Sequence, residues 1–296
     1  MNEQLLIELR SSHWAISETA RSILELTAIR MLEDPEYKIS PIDLHIRMNG
    51  CQALEMNDVP GNPFDSAQDS DNIAIIPLCG IMTKYSSWYK YGCDELANFI
   101  RLAEASSKVS GVILLANTPG GDVQSVFQLQ DAISHMTKPI VTLTDGYLCS
   151  AGLWAASFTN KIFALNEMNM VGSIGILTEL YDFSEQNKKY GVKTRTIYPP
   201  ESKYKNLPER NATSETPDDD LLITEILSPL AVQFQNTIRA NLPDLDLSVE
   251  GIVEGREFYA RDAVKFGLVH GIMSMDQAIS YIKSENEQRK SIARTF

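Results

Sequence analysis

The chain has 296 residues, and its 44% hydrophobic and 22% charged content is typical of a globular protein that buries a large core. Its formal net charge of −13 at pH 7 argues against a nucleic acid or an anionic membrane as the main partner, because both are bound through clustered lysine and arginine. The sequence has no charge-free apolar run long enough to span a bilayer, and its first residues lack the pattern of a secretion signal.

The cysteines and histidines are dispersed along the chain. No two cysteines have CxxC spacing, and no two histidines have the spacing of zinc ligands. We therefore predict no disulfide framework, no metal and no cofactor, and the free cysteines suit a reducing, cytoplasmic interior. The residues concerned are Cys51, Cys79, Cys93, Cys149, His13, His45, His135 and His270.

The sequence divides into a short N-terminal part, a linker and one large domain. Residues 1–56 are predicted to form a helical arm, because apolar residues recur at helical spacing after Ser17. Residues 57–71 are rich in Asn, Asp, Pro, Gly and Ser, which indicates a linker. The main domain then covers residues 72–288, and residues 289–296 are predicted to fray.

Short apolar strands alternate with amphipathic helices in the main domain. This alternation predicts a mostly parallel sheet with helices on both faces, and ligands of such sheets bind at the C-terminal ends of the strands. The predicted strands are residues 73–78, 111–116, 139–144, 161–164, 171–176 and 192–197. The predicted helices are residues 94–107, 123–136, 180–190, 217–240 and 274–287, with a long loop between residues 198 and 220.

Two loops leave the C-terminal ends of neighbouring predicted strands. The first, residues 117–122, contains the pair Gly120-Gly121, whose backbone can approach a ligand closely. The second, residues 147–152, places Ser150 at a helix start, where free N–H groups stabilise negative charge. Taken singly, the loops are typical of a β-turn and of a helix cap. Because both follow neighbouring strands, we expect them to face one cleft.

Several motifs occur together in the order and approximate spacing of one protein family. They are Asn-Thr-Pro-Gly-Gly at 117–121, Lys-Pro-Ile-Val at 138–141, Cys-Ser-Ala-Gly at 149–152, Gly-Ser-Ile-Gly at 172–175, Ser-Lys-Tyr-Lys at 202–205, Gly-Arg at 255–256, Ala263 and Gly-Leu-Val at 267–269. With these motifs, residues 73–272 resemble the signal peptide peptidase A family of serine proteases, in particular its phage prohead protease branch. The resemblance implies an α/β fold similar to the Clp protease and the crotonases, a spiral of ββα units that forms homo-oligomers.

The resemblance also implies a serine–lysine dyad in place of a Ser-His-Asp triad. Ser150 corresponds to the nucleophile and Lys205 to the base, because Ser-Lys-Tyr-Lys resembles the family pattern of glycine, any residue, an aromatic or histidine, and lysine. A count without gaps from Ile197 points instead to Lys203, and Ser202 stands where the family has glycine. A lysine acts as a base only when neutral, so the mechanism needs a dry cleft. If neither lysine reaches the serine, the chain is an inactive relative.

Further site residues take their roles from the same resemblance. The N–H groups of Gly121 and Ala151 correspond to the oxyanion hole, which stabilises the charge of the tetrahedral intermediate. Ser173 corresponds to the family serine that orients the lysine, although a serine between glycines is also typical of a turn. Cys149 is a rival nucleophile that we disfavour, because adjacent side chains point in different directions.

The predicted function is that of a serine endopeptidase that acts on a protein or peptide without a cofactor. The Trp-Ala-Ile sequence at residues 14–16 resembles the opening of phage-encoded members, which favours a prohead protease. Such an enzyme cleaves scaffold or capsid protein in the bacterial cytoplasm or inside the assembling prohead. The alternatives are a cytoplasmic peptidase of the same family, a non-proteolytic assembly subunit and a crotonase-like acyl-CoA enzyme.

Overall fold

The fold is taken from a computed structural model. The structure describes residues 14–16, 46–48, 52–54, 61–67, 69–86, 91–180, 184–193, 195–214 and 216–293. The described N-terminal residues form three short strands, β1 (Trp14–Ile16), β2 (Ile46–Met48) and β3 (Gln52–Leu54). These strands differ from the helical arm predicted for residues 1–56, and the helix predicted after Ser17 lies outside the described residues.

A mostly parallel sheet runs through the main domain, as the sequence predicted. Its central strands β4 (Asn72–Cys79), β5 (Val109–Thr118) and β7 (Ile140–Cys149) pair in parallel, and their apolar and β-branched residues favour buried strands. The short strand β6 (Gly120–Asp122) leaves the end of β5 and pairs with β1 in a separate two-stranded sheet. The other strands are β8 (Lys161–Ala164), β9 (Met170–Gly172), β10 (Glu257–Tyr259) and β11 (Gly271–Ile272).

Strand β7 pairs with a different neighbour at each of its ends. The order is β10-β9-β7-β5-β4-β2-β3, with β8 joined to β7 and β11 joined to β8. Strand β7 is long enough to pair with β8 along residues 141–144 and with β9 along residues 147–149. Its last three residues are therefore held by β9 immediately before the chain turns into the next helix.

Helices cover both faces of the sheet. The described helices are α1 (Cys93–Ala105), α2 (Val123–Ser134), α3 (Ala151–Ala156), α4 (Ser184–Lys189), α5 (Leu207–Ala212), α6 (Ser228–Asn241), α7 (Ala260–Lys265) and α8 (Met275–Ala293). Alternate residues of β4 enter two cores: Ala74 and Ile76 face the core of α1, α2, α3 and α6, whereas Ile73 and Ile75 pack with Ile282 of α8.

The segment predicted as a linker is partly built into the domain. Residues Pro63–Ser66 form a 3-10 helix whose Asn62 side chain accepts a hydrogen bond from the N–H of Phe64. The Phe64 side chain is fully buried in the core beside α1. The boundary at residues 57–71 stays a prediction, but this part of it is anchored by an aromatic side chain.

The second half of the domain departs from the predicted elements. The strand predicted for residues 192–197 is not formed in the described residues, and Val192 and Ile197 are exposed. Among the described residues, Val192 and Ile197 belong to no strand of either sheet. The predicted helix 217–240 is present as a π-helix, Leu222–Leu227, followed directly by α6. At the C-terminus α8 continues to Ala293, so the tail predicted to fray from residue 289 is helical up to that residue.

Candidate active site

Ser150 lies at the corner between β7 and α3, where the sequence predicted it. Its backbone has φ 54° and ψ −122°, a conformation that residues other than glycine rarely adopt and that costs about 1–3 kcal/mol. Its N–H donates to the carbonyl oxygen of Gly172 at 2.8 Å, and its own carbonyl accepts from the N–H of Trp154 at 2.9 Å. These two bonds hold the strained serine between β9 and the first turn of α3.

Direct packing joins the end of β5 to this corner. A Cβ added at Gly152 would lie 2.4 Å from the Thr118 methyl group, so the position requires glycine. The Thr118 hydroxyl donates to Gly80 O at 2.6 Å and accepts from Gly120 N at 3.1 Å. Thr118 therefore fixes the glycine pair relative to the Ser150 corner, and the structure brings the two predicted loops together.

Gly121 packs against the backbone of Met82. The Met82 N–H donates to Gly120 O at 2.8 Å, and the Asp122 N–H donates to Met82 O at 2.9 Å. A Cβ at Gly121 would lie 2.0 Å from Met82 O, which excludes any side chain there. Because peptide groups alternate along an extended strand, the N–H and C=O of Gly121 face the opposite edge of β6. The N–H predicted for the oxyanion hole is therefore directed away from Met82.

The second predicted oxyanion donor begins helix α3. Ala151 is the first residue of this helix, where N–H groups have no acceptor within the helix, and it is completely buried. Helix α3 is in contact with β6. The N–H groups of Ala151 and Gly121 thus belong to neighbouring elements on either side of Thr118.

The Ser150 hydroxyl and Ser173 lie near the segment that follows β9. Ser150 Oγ donates to the carbonyl oxygen of Gly175 at 3.5 Å, which is long for a hydrogen bond of a hydroxyl. Ser173 has φ 56°, and its N–H donates to Arg256 O at 2.9 Å. Ser173 is thus two residues from the acceptor of the Ser150 hydroxyl. Its predicted role in orienting a lysine stays a prediction.

In the described structure, the two candidate lysines make no contact of the kind that the dyad requires with Ser150. Lys203 and Lys205 follow the 3-10 helix Pro200–Ser202, and both side chains are exposed, whereas Ser150 is 1% exposed. The Lys203 ammonium lies 4.8 Å from the ring centre of Tyr204. Among the described residues, no hydrogen bond joins either lysine to Ser150. The assignment of the base therefore stays a prediction that requires a change of position.

Cys149 is held as a neutral thiol. It is fully buried, and its Sγ donates to Met170 O at 3.8 Å. Burial, with a smaller contribution from the charge of Glu257, raises the pKa of the Cys149 thiol far above its usual range. Because the thiolate is the reactive form, this environment supports Ser150 over Cys149 as nucleophile.

Asn117 supports the site in a way that the sequence did not reveal. Its Oδ1 accepts a hydrogen bond from the Tyr147 N–H at 3.1 Å, across 30 positions of the chain. A Cβ at Gly146 would lie 2.4 Å from the same oxygen. This contact ties the end of β5 to β7 just before the corner. The Asn-Thr-Pro-Gly-Gly motif contained the signal, but the distant backbone partner was not visible in it.

The chain matches the models of two known protein families. Residues 81–173, which contain both loops, match the model of the family "Clp protease", so the domain has the Clp class of α/β fold. Residues 132–289, more than half of the chain, match the model of "Peptidase family S49". The chain therefore belongs to peptidase family S49, and the resemblance to signal peptide peptidase A proteins is confirmed.

Three relatives illustrate the range of the family. "Protease 4" of Haemophilus influenzae is 27% identical over 75% of this chain and 36% of its own length. "Capsid assembly protease C" of Escherichia phage lambda is 27% identical over 81% of this chain and 55% of its own length. "Putative signal peptide peptidase SppA" of Enterococcus faecium is 24% identical over 67% and 57%. The chain thus matches between about a third and three fifths of the length of these relatives.

Within the part of the chain that the structure describes, no helix has the length and apolar character needed to span a bilayer. The same residues contain no cluster of His, Cys, Asp or Glu arranged to hold a metal ion.

Proposed function

We propose that this member of family S49 is a serine endopeptidase in which Ser150 attacks the carbonyl carbon of a peptide bond. The observation that carries the proposal is the strained Ser150 backbone at the corner between β7 and α3, packed through Gly152 and Thr118 onto the Gly120-Gly121 loop. Strain of this kind is retained at functional sites because the surrounding structure enforces it. Two of the relatives bear the name of a protease, which supports the same activity.

The proposed reaction follows from the groups around the corner. As the Ser150 hydroxyl attacks, its proton passes to a neutral lysine, and the oxyanion accepts hydrogen bonds from the N–H groups of Gly121 and Ala151. The protonated lysine then delivers the proton to the leaving amine, and water hydrolyses the acyl-enzyme. Each oxyanion donor contributes about 3 kcal/mol to transition-state stabilisation in enzymes of this kind.

We assign the base to Lys205, with Lys203 as the alternative. Because both lysines are exposed and Ser150 is buried, the segment after Pro200–Ser202 has to approach the serine for catalysis. A bound peptide would also exclude water from the space between them, and burial favours the neutral form of a lysine. Ser173, two residues before Gly175, is the proposed partner that orients the ammonium group.

The proposed substrate is scaffold or capsid protein of a phage or prophage, cleaved in the host cytoplasm or inside an assembling prohead. The similarity to a phage capsid assembly protease over 81% of this chain supports this role. A homo-oligomer and a peptide partner belong to the same proposal. A cytoplasmic peptidase of the same family is the second candidate, and the similarity to "Protease 4" of a bacterium supports a role outside a phage.

Active-site labelling tests the assignments. We expect a fluorophosphonate to label the wild type, and intact-protein and peptide mass spectrometry to locate the label on Ser150. Ser150→Ala should lose both the label and the cleavage of an unstructured protein such as casein. The cleavage rate of Lys205→Ala should be lower than that of the wild type by about 10²–10⁴-fold, the usual contribution of a general base. Lys203→Ala should remain active.

The matched pair of lysine variants is also the control, because both lysines are exposed on the same segment. Activity in Lys205→Ala together with loss in Lys203→Ala would move the base to Lys203. Retention of cleavage in Ser150→Ala would show that the nucleophile lies elsewhere. If no variant and no wild-type sample is labelled while a well-formed oligomer is present, the non-proteolytic assembly subunit is the better description.

A further inference from the structure

The N-terminal strand β1 lies along the edge of β6 that carries the proposed oxyanion donor. The two strands pair antiparallel with Trp14 opposite Asp122, Ala15 opposite Gly121 and Ile16 opposite Gly120. On its other edge β6 is bonded to the backbone of Met82. Gly121 is thus enclosed between Met82 on one side and Ala15 on the other.

In this register, the backbone N–H and C=O of Ala15 face the backbone N–H and C=O of Gly121. Since Gly120 O and Asp122 N bond to Met82, the N–H and C=O of Gly121 face β1, and Ala15 is their hydrogen-bonded partner. A peptide bound to an exposed sheet edge adds a strand through the same backbone groups. The Ala15 carbonyl therefore stands where the carbonyl of a cleaved peptide bond would have to meet the proposed oxyanion donor.

The burial of the site agrees with an occupied edge. Ser150 is 1% exposed, Ala151 is completely buried, and all three residues of β6 are buried. A protein substrate can reach these groups only if a covering segment moves away. The backbone pairing identifies β1 as one segment that must do so, because it holds the edge of β6 on which Gly121 presents its N–H.

We propose that the segment containing β1 is an intramolecular competitor of the substrate, which occupies the β6 edge and keeps the site closed until it is displaced. This inference rests on the proposed peptidase function, because it gives the Gly121 N–H its role. It predicts that release of β1 increases access to the edge, and that fixing β1 to β6 abolishes access to Ser150.

Peptide binding tests the release without requiring catalysis. Ala15→Pro removes the N–H that pairs with Gly121 and disfavours strand pairing. Ala15→Val keeps this N–H and favours a strand. A fluorescein-labelled peptide of residues 10–20 should bind the full-length Ala15→Pro variant at least about tenfold more tightly than the wild type, because the competent state is more populated. Ala15→Val should bind no more tightly than the wild type. Equal affinity of Ala15→Pro and the wild type would overturn the proposal.

A reversible crosslink tests the closed state. Trp14 and Asp122 form a non-hydrogen-bonded pair, whose Cα atoms are about 4.5 Å apart in antiparallel sheets and so within the range of a disulfide. In the double variant Trp14→Cys/Asp122→Cys, oxidation should abolish fluorophosphonate labelling of Ser150, and reduction should restore it. Each single variant should be labelled to the same extent under oxidising and reducing conditions. They also control for the Asp122 side chain, which accepts a hydrogen bond from Gln124 N.

The outcomes separate this inference from the proposed function. Equal labelling of the oxidised and reduced double variant, with the crosslink verified by mass spectrometry, would show that β1 does not close the site. If the Ala15→Pro variant, in which β1 is released, is not labelled either, the peptidase assignment fails, and the peptide-binding comparison still decides whether β1 competes for the β6 edge.

Discussion

Ser150 illustrates how much one backbone conformation determines at this site. With φ 54° and ψ −122°, the residue occupies a region in which a Cβ is costly and glycine is not. The chain nevertheless keeps a serine there, held by the bonds to Gly172 O and Trp154 N. Removal of the Cβ should therefore relieve strain, while removal of the hydroxyl alone should not.

A pair of variants separates the two effects. Ser150→Gly should be more stable than Ser150→Ala by about 1 kcal/mol in free energy of unfolding, because alanine is penalised at positive φ. Both variants lack the hydroxyl and should be equally inactive. Urea denaturation followed by circular dichroism measures the difference. A more stable Ser150→Ala would show that the strain inferred from the backbone angles is not present in solution.

The contact between Thr118 and Gly152 gives a second prediction at this scale. Gly152→Ala should destabilise the protein by about 1–3 kcal/mol, because the new methyl group would lie 2.4 Å from Thr118 Cγ2. Thr118→Ser removes that methyl group and retains the hydroxyl that bonds Gly80 and Gly120. The double variant Gly152→Ala/Thr118→Ser should therefore recover most of the loss in a double-mutant cycle. Simple additivity of the two single changes would contradict the steric explanation.

At the scale of elements, α6 secures the helix that follows the serine. Phe234 of α6 stacks on Trp154 of α3 with ring centres 4.4 Å apart and planes inclined by 6°, and Phe127 of α2 meets the same indole edge to face. Both Trp154 and Phe234 are fully buried. The short helix α3 thus depends on a contact with residues about 80 positions later in the chain.

Loss of that contact should be measurable apart from the chemistry. Phe234→Ala should lower the free energy of unfolding by about 3–5 kcal/mol, the usual cost of deleting a buried aromatic side chain. Val232→Ala, a change at a 53% exposed position of the same helix, should have an effect within about 0.5 kcal/mol. Thermal and urea unfolding of both variants provide the comparison. Equal small effects would mean that the stack does not hold α3 in place.

The elements that could be predicted from the sequence are those specified by local patterns. Strands β4, β5 and β7 each contain a run rich in apolar and β-branched residues, and α1 and α2 have one apolar face each. The Ser150 corner and the glycine pair follow two of these strands, so their meeting was predictable from the parallel topology. The motif resemblance supplied the roles of Gly121 and Ala151.

The remainder depended on partners that are distant in the sequence. Residues 192–197 contain four β-branched residues, but a strand also needs a neighbour, and Val192 and Ile197 are exposed in the described structure. The pairing of β1 with β6 joins residues more than 100 positions apart, and no local signal at Ala15 specifies it. The Lys205 side chain is exposed, so the proposed approach of this lysine to Ser150 requires a motion that the sequence pattern does not specify.

At the scale of the whole molecule, the sheet separates two hydrophobic cores of unequal size. The larger core holds the helices that support the candidate active site, and the smaller one is closed by α8. Helix α8 approaches the sheet so closely that a Cβ at Gly111 of β5 would lie 2.2 Å from Ile282 Cγ2. Helix α8 therefore covers the face of the sheet opposite to the one that packs on α1, α2, α3 and α6.

The position of α8 has a consequence for how the chain is made. The strands whose apolar side chains it covers begin at residue 72, but the helix itself begins only at Met275. At a synthesis rate of about 5–20 residues per second, α8 is made about 10–40 seconds after the start of β4. Ile73 and Ile75 lack their final partner for the whole interval, and Ile113, Val141 and Leu143 lack it from their own synthesis until α8 is made. That face of the sheet is therefore completed only when the last described helix has been made.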